Sequence, residues 1–586
     1  MPRAPRRRTS PATRGAAGPL ARRPSRNAWW LLAAALAPLL LYWPVTGYGF
    51  MLDDFVLFQT SPSLSDLGSI PQGFLTDVGA LRKGAGTIIS SYYRPVFLAL
   101  STLYYKLAGG DPFGWHLASA VLASLIGALA CGLLLRLGLP PPLALLAAIV
   151  FSFHPAHVSS IAWASGLQEL LAALFVFIAL HAILWREDED RGLLPLGLGA
   201  LAYGLALLSK EVAIALLPFV AVWAASVAQN DPRLARRLWR AAGVLGAVTL
   251  AYLAVRLAVL GGLAVPSPSA PSLRASLPAV PVALATYLRL LLWPAGFAIF
   301  RPERPDVAPL AAPVLVAVSV LVCAALLAGW AVRRRREILL PLAWAAVWLL
   351  PVLNLWVLDP QWMVTDRYLF LPSLALPWLL ALLLPRRLAI SFLCVLAVCF
   401  AGLTLRYSAI FRDERTFLAA MEKAEPTSPI VFAEKGRLLV RDGKLGAARA
   451  ALSRAVELDP IAPGALTALG DLELQRGDLE AAESHYRRAL VVRPYGSRTF
   501  KLLALAAARA GRRDKASSLI DESARRWPDD FQVQLLHALF LATAGQREKA
   551  EAAFAAARRL RPRDPALEGG LDAAIARLRP TVLAGD

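Results

Sequence analysis

Between residues 28 and 407 the chain is a succession of apolar blocks, each roughly 17–23 residues long, the length of helix that crosses a hydrocarbon core. Few folds are open to such a pattern. In lipid every backbone N–H and C=O must find its partner inside its own segment, so the blocks predict a bundle of membrane-spanning helices. About eleven spans are expected, at roughly 28–48, 115–137, 141–156, 168–185, 193–209, 212–228, 241–260, 309–332, 338–358, 368–385 and 388–407. Residues 94–107 (RPVFLALSTLYYKL) are shorter and amphipathic and read as an interfacial helix. Residues 279–297, which contain Arg289 and Pro294, are placed at the interface as well.

The 57% hydrophobic and 18% charged residues therefore average two unlike regions, because from about residue 410 onward the composition is that of a soluble protein. A net charge of +21 would invite a nucleic-acid reading, but its placement points elsewhere. Arg3, Arg6, Arg7, Arg8, Arg14, Arg22, Arg23 and Arg26 precede the first span. Further clusters separate later spans: Arg233, Arg236, Arg237 and Arg240, then Arg333 to Arg336, then Arg386 and Arg387. That is a positive-inside pattern. With the N-terminus in the cytoplasm, every cluster falls inside. The weakly charged loops 49–114, 261–308 and 359–367 fall outside, as does everything after 407. The acidic run Glu187–Asp190 falls inside, but acidic residues count little in this rule.

The expected organisation is a basic cytoplasmic segment 1–27, a membrane domain 28–408 with an outer loop 49–114, and an outer domain 409–586. The apolar stretch Ala28–Trp43 has no small-residue cleavage site after it and is expected to remain as the first span. Cys131, Cys323, Cys394 and Cys399 all lie in apolar spans and form no metal or disulfide pattern. The richness in Ala, Leu and Arg suggests a bacterial inner membrane, with the tail in the periplasm. No nucleic-acid partner is expected.

The tail repeats itself. Pro460, Pro494, Pro528 and Pro562 are spaced by 34 residues. Gly443, Gly477, Gly511 and Gly545, and Ala448, Ala482, Ala516 and Ala550, keep the same period. This is the tetratricopeptide (TPR) period of two antiparallel helices per unit. Glycine suits the turn, alanine the close approach of the helices, and proline the end of the second helix. Small residues recur in a further register, at Gly436, Gly470, Ala504 and Ala538. Four units over about 429–562, with a capping helix at 564–579, are enough for a stable stack. The fold class is thus all-α: a polytopic membrane domain followed by a TPR α-solenoid.

Polar residues gather at the expected outer face. Asp53 and Asp54 follow the first span; His154 and His157 end the third; Ser209, Lys210 and Glu211 separate the fifth and sixth; Asp366 and Arg367 precede the tenth, with Tyr368 beside them. Ionisable groups at such depth are costly and usually functional. Each has a plain alternative. The aspartate pair is either a helix cap or a general base and cation ligand. A lone histidine pair is poor evidence for zinc, which needs three or four ligands, and suits hydrogen bonding to a phosphate or sugar better. Lys210 is either a snorkelling turn residue or a phosphate ligand, and Arg367 has the planar fork that phosphate favours. Together they outline a site for an anionic, membrane-embedded substrate.

The strings YYRPVFLALSTLYYKLAGGDPFGWH (92–116), FSFHPAHVSSIAWASGLQELLAALF (151–175), LALLSKE (205–211) and TDRYLFLPSLAL (365–376), followed by TPR units, resemble the transmembrane-and-TPR-containing O-mannosyltransferases of the GT-C superfamily. The resemblance covers about 45–580. It implies a GT-C-type membrane domain and a polyprenyl-phosphate sugar donor. The sugar, mannose in that family, would pass to a hydroxyl acceptor, often Ser or Thr of a protein held by the TPR groove. Carried onto this sequence, Asp53 would be the base, and Asp54 would position the acceptor. Lys210, Arg367, Glu211 and Arg94 would bind the donor phosphate, supported by His154, His157, Tyr368 and Asp366. A divalent cation (Mg²⁺ or Mn²⁺), if one takes part, would sit at Asp53 and Asp54. No G-x-G-x-x-G or P-loop is present, which argues against a nucleotide sugar. Two readings remain from sequence: a lipid-linked glycosyltransferase, or a non-enzymatic membrane-anchored TPR scaffold.

Overall fold

The computed structural model describes residues 28–59, 62–78, 92–185, 193–263, 272–296, 299, 308–357, 364–492, 497–528, 530–560 and 569–583. The segment 1–27, the run Glu187–Asp190, parts of the three outer loops, and Pro494 and Pro562 lie outside these residues. Among the described residues the regular structure is helical and no strand occurs.

Seven helices among them are long and apolar enough to cross a membrane: Ala28–Gly47, Pro112–Arg136, Ala164–Ile183, Pro232–Leu260, Ala312–Arg334, Arg336–Leu353 and Arg386–Phe411. An eighth is bent by 49° between Pro141–Ser152 and Pro155–Ile161, where Pro155 lacks the N–H that would continue the helix. The other three expected spans are shorter apolar helices, Leu194–Ser209, Glu211–Val227 and Pro372–Leu383. Their shortness has local causes. Lys210 leaves the helical conformation between the first two. Pro372 opens the third and Pro385 follows it, which confines its length.

Helix starts obey simple rules. Pro95, Pro112, Pro141 and Pro232 open their helices, where a missing N–H costs nothing. The Asp231 carboxylate caps its helix by accepting from Leu234 N at 3.0 Å. Alanines 120, 130, 144, 147 and 206 are fully buried, so neighbouring helices approach closely. Leu40, Leu250, Leu326 and Val398 point outward, as a lipid-facing surface requires.

The bundle has two unlike ends. At one, Arg136 donates to the His181 carbonyl at 3.1 Å, Arg335 to that of Leu382 at 3.1 Å and Arg336 to Gln229 Oε1 at 3.3 Å. At the other, Gly49 N donates to the Arg412 carbonyl at 3.1 Å, which ties the first loop to the start of the tail. Phe411, Phe417, Leu418, Met421 and Val431 belong to the same apolar core as the membrane helices.

The tail forms four helix pairs, Pro429–Arg441 with Leu445–Leu458, Pro463–Gln475 with Leu479–Val492, Ser497–Arg509 with Arg513–Arg526, and Phe531–Thr543 with Arg547–Leu560. Helix Glu414–Ala424 leads into them and Gly570–Leu583 closes them. Each intra-pair turn holds its glycine at positive φ: 73° at Gly443, 80° at Gly477, 73° at Gly511 and 75° at Gly545. Ala448, Ala482, Ala516 and Ala550 are each 0% exposed where the paired helices touch.

Candidate functional site

The loop after the first span reaches Leu52 in the left-handed region, φ 46°, directly before Asp53 and Asp54. The two carboxylates face different surroundings. Asp53 is exposed. Asp54 is buried, its Oδ1 accepting from Ser165 N at 2.8 Å and its Oδ2 from Met51 N at 3.4 Å. Burial pushes Asp54 up to about 8, against the downward pull of those backbone donors. Both Asp54 oxygens are thus engaged by backbone N–H groups. The described residues contain no group of three or more His, Cys, Asp or Glu placed to hold a metal. Among the described residues a divalent cation finds no ready-made set of ligands.

Ser165 belongs to a tight connection that follows the bent span. Gly166 makes it possible: a Cβ there would lie 2.5 Å from the Ser160 carbonyl oxygen. Helix Leu167–Ile183 then starts with Gln168 and Glu169 aimed into the cluster. Arg94, ahead of the interfacial helix Pro95–Ala108, meets this start. Its Nη1 donates to Gln168 Oε1 at 2.5 Å, and its Nε and Nη2 donate to the Glu211 carboxylate at 3.0 and 2.5 Å. This two-pronged pairing fixes the guanidinium in a plane. Lys210 Nζ donates to Glu169 Oε1 at 2.5 Å, and Arg367 Nη1 stands 3.9 Å from the same oxygen. Aromatic rings flank the cations: Lys210 lies 5.2 Å from the Tyr368 ring centre, Arg367 4.6 Å from that of Trp163 and Arg94 4.4 Å from that of Tyr92.

Arg94, Lys210, Glu211, Arg367 and Tyr368 thus stand in one cluster. Asp366 is buried in the short turn Asp366–Leu369 beside it. The histidines do something different. His154 Nε2 meets the Leu291 carbonyl at 3.3 Å, and its Nδ1 accepts from Ala156 N at 3.3 Å. His157 Nε2 meets the Phe370 carbonyl at 3.1 Å and Ser373 Oγ at 2.8 Å, and its ring stacks on Phe370. Both are buried and engaged with protein: His157 pins the Arg367–Ser373 segment to the bend, and His154 ties the bend to Leu291.

Two members of the cluster are absent from the sequence reading. Glu169 is the one acidic residue of an otherwise apolar helix. Arg256, near the end of the long apolar helix Pro232–Leu260, is buried, donates to Tyr252 Oη at 3.2 Å and adds its charge to the field on Glu211. The signal was present in both cases: an ionisable residue inside an apolar run is a functional candidate by default.

A narrow, partly open pocket is walled by Glu169, Lys210, Arg367, Tyr368 and Trp348, with Val212, Phe370 and Leu371 among its apolar lining. Of its charged walls two are cations and one is a carboxylate; the rest is aromatic or apolar.

Comparison with known proteins agrees with this composite build. Residues 434–497 and 501–565 match the tetratricopeptide repeat family. The protein O-mannosyl-transferase TMTC4 of Homo sapiens is 32% identical over 155 residues, 22% of this chain and 20% of the relative. TMTC3 of Mus musculus is 25% identical over 191 residues, 32% of this chain and 20% of the relative. Tmtc2 of Drosophila melanogaster is 29% identical over 279 residues, 45% of this chain and 29% of the relative. The chain is a membrane protein that resembles the TPR-bearing O-mannosyltransferases. It matches between 20% and 29% of the length of these relatives. Among solved structures, the TPR protein YrrB is 19% identical and covers 25% of this chain and 75% of its own, at a TM-score of 0.22.

Proposed function

We propose that this chain is a membrane glycosyltransferase that moves a sugar from a polyprenyl-phosphate donor to a hydroxyl acceptor, with protein Ser or Thr as the acceptor class. The pocket carries this reading: an ammonium and a guanidinium stand beside the single carboxylate of Glu169, and the rest of the lining is aromatic or apolar. An amphiphilic anion suits such a lining, with its phosphate at Lys210 and Arg367 and its isoprenoid against Phe370 and Leu371. The bilayer holds the tail of the donor, which explains why the site sits in a membrane domain.

In the transfer, the bond from the anomeric carbon to the phosphate oxygen breaks and a bond to the acceptor oxygen forms. Lys210 and Arg367 offset the charge that builds on the departing phosphate. Arg94, fixed by Glu211 and Gln168, supports that wall. Asp53 is exposed at the mouth of the first loop and takes the proton of the acceptor hydroxyl. Asp54, neutral below about 8, holds the loop through Ser165 N and Met51 N. The TPR stack presents an extended acceptor to the end of the bundle where Asp53 lies. On the positive-inside rule we take that end as the outer face of the membrane.

The test is transfer of label from radiolabelled polyprenyl-phosphate mannose into protein in membranes holding the wild type or Asp53→Asn at equal level. Label that enters a protein fraction and is lost in the variant supports the enzyme and its base. No transfer with mannose or any other polyprenyl-phosphate sugar removes the enzyme reading and leaves a membrane-anchored TPR scaffold.

A further inference from the structure

Among the described residues, the charges that line the pocket are those of Lys210, Arg367 and Glu169, two positive and one negative. Glu169 Oε1 accepts from Lys210 Nζ at 2.5 Å, and Arg367 Nη1 stands 3.9 Å from the same oxygen. Glu169 and Lys210 are each 5% exposed. The neighbouring Arg94 and Glu211 cancel each other through their two-pronged pair. Asp366 and Arg256, which do not line the pocket, carry opposite signs. The pocket is thus left with one unit of positive charge. Trp348, Tyr368, Phe370 and Leu371 form much of the remaining lining, so little water weakens the charges there.

Charge is what changes on the lipid during the transfer. The donor is a phosphodiester with one negative charge. When the bond to the anomeric carbon breaks, its electron pair stays on the phosphate oxygen and the acceptor proton goes to Asp53. The lipid is left as a phosphate monoester, with a charge of about −1.5 to −2 at neutral pH. We propose that Glu169 is a charge-matching residue: it holds the pocket at one net positive charge, which suits the phosphodiester donor and pushes out the monoester product. The inference rests on the phosphate assignment to Lys210 and Arg367 made above. Without Glu169, two bare cations would match the product and retain it. In the empty site its carboxylate also spares those cations from facing an apolar pocket unpaired, a costly state. This role differs from support. A residue that only orients the Lys210 ammonium helps every anion alike, whereas a charge match favours the monoanion over the dianion.

The test is equilibrium binding to the full-length chain in nanodiscs of zwitterionic lipid, with two sugarless probes. One is polyprenyl phosphate; the other is its methyl ester, which carries one negative charge. Wild type should bind the methyl ester at least as tightly as polyprenyl phosphate. Glu169→Gln should tighten polyprenyl phosphate by about ten-fold or more and the methyl ester by less, so that the order reverses. Glu169→Asp keeps the charge and should keep the wild-type order. Tighter binding of polyprenyl phosphate than of its methyl ester by wild type overturns the proposal without any variant. So does a Glu169→Gln variant that weakens both probes or changes both by the same factor, which leaves Glu169 a support for Lys210. Lys210→Met separates the two readings. If it weakens both probes, the phosphate assignment stands even when the charge match falls. If wild type binds neither probe, or Lys210→Met binds both as wild type does, the assignment falls and the charge match with it.

Discussion

Arg441, the last residue of the first TPR helix, lies over the Phe55 ring at 5.4 Å from its centre. Phe55 follows Asp54 directly, so the solenoid touches the loop that carries both aspartates. Arg441 also pairs with Glu414 of the lead-in helix. The contact makes the stack a brace for the loop, one that starts beside a strained Leu52.

Arg441→Ala should therefore slow transfer about two- to five-fold at saturating donor, the scale of one partly exposed cation–π contact. Donor affinity should stay as it was. Arg441→Lys should recover most of the rate. Glu414→Gln removes the ion pair and leaves Phe55 covered; it should change turnover little. Steady-state transfer assays on the three variants check this. An equal loss in Glu414→Gln would mean that the ion pair, not the ring contact, sets the loop.

The Lys210–Glu169 pair predicts a large stability effect with a particular rescue. Both residues are about 5% exposed. Removing one partner of a buried pair costs about 3–5 kcal/mol, because the other charge stays behind. Arg367, 3.9 Å from the same Glu169 oxygen, shields it partly and places Lys210→Met at the lower end of that range. Lys210→Met/Glu169→Gln should regain part of the loss. Thermal unfolding in detergent measures both. A double variant no more stable than the single would show that the charge left on Glu169 is not the source of the damage.

Asp54 gives the chain a pH signature. Its folded-state value of about 8 lies above the ordinary aspartate value, so the native state keeps a proton that the unfolded chain gives up. The sign follows: this contribution to stability is present below about pH 4, declines as pH rises, and is gone once pH passes about 8. Asp54→Asn carries no such proton. The stability difference between wild type and Asp54→Asn should move in favour of the variant between those limits and level off above them. A difference flat with pH would place the charged form of Asp54 in the native loop.

Much of this architecture was legible before any coordinates. Apolar length and periodicity need only neighbours in the chain, so each expected span coincides with a helix and the 34-residue period resolves into helix pairs. What failed was length, at Lys210 and around Pro372–Pro385, where one charged residue or a proline pair shortens a helix inside an apolar block. The site was harder. Arg94, Lys210, Glu211 and Arg367 stood out as charges between spans, whereas Glu169 and Arg256 lie within apolar runs, where a single charge is a signal only when each span is read residue by residue. The Arg441–Phe55 contact joins residues hundreds of positions apart and has no local pattern to reveal it.

The solenoid supplies a pair of substitutions of opposite sign. Gly470 faces Tyr486, and a Cβ added there would come within 2.4 Å of the ring atom Cε1. The ring has little room to yield, since Tyr486 Oη donates to Asp471 Oδ1 at 2.6 Å and the side chain is buried. Overpacking of this kind costs about 1–3 kcal/mol, from which the better helix propensity of alanine takes back up to about 1 kcal/mol. Gly470→Ala should thus be neutral to destabilising by about 3 kcal/mol. Gly446, also helical, has nothing within 4 Å of its added Cβ. There only the propensity acts, and Gly446→Ala should stabilise by about 0.5–1 kcal/mol. Alanine occupies the Gly470 position in the next repeat, at Ala504, where Ile520 stands in the Tyr486 register. Gly470→Ala combined with Tyr486→Leu should be less unstable than the sum of its parts. Hydrogen exchange of the repeat amides in the full chain reads all of these, and strict additivity of the pair would show that the ring is not what excludes the methyl group.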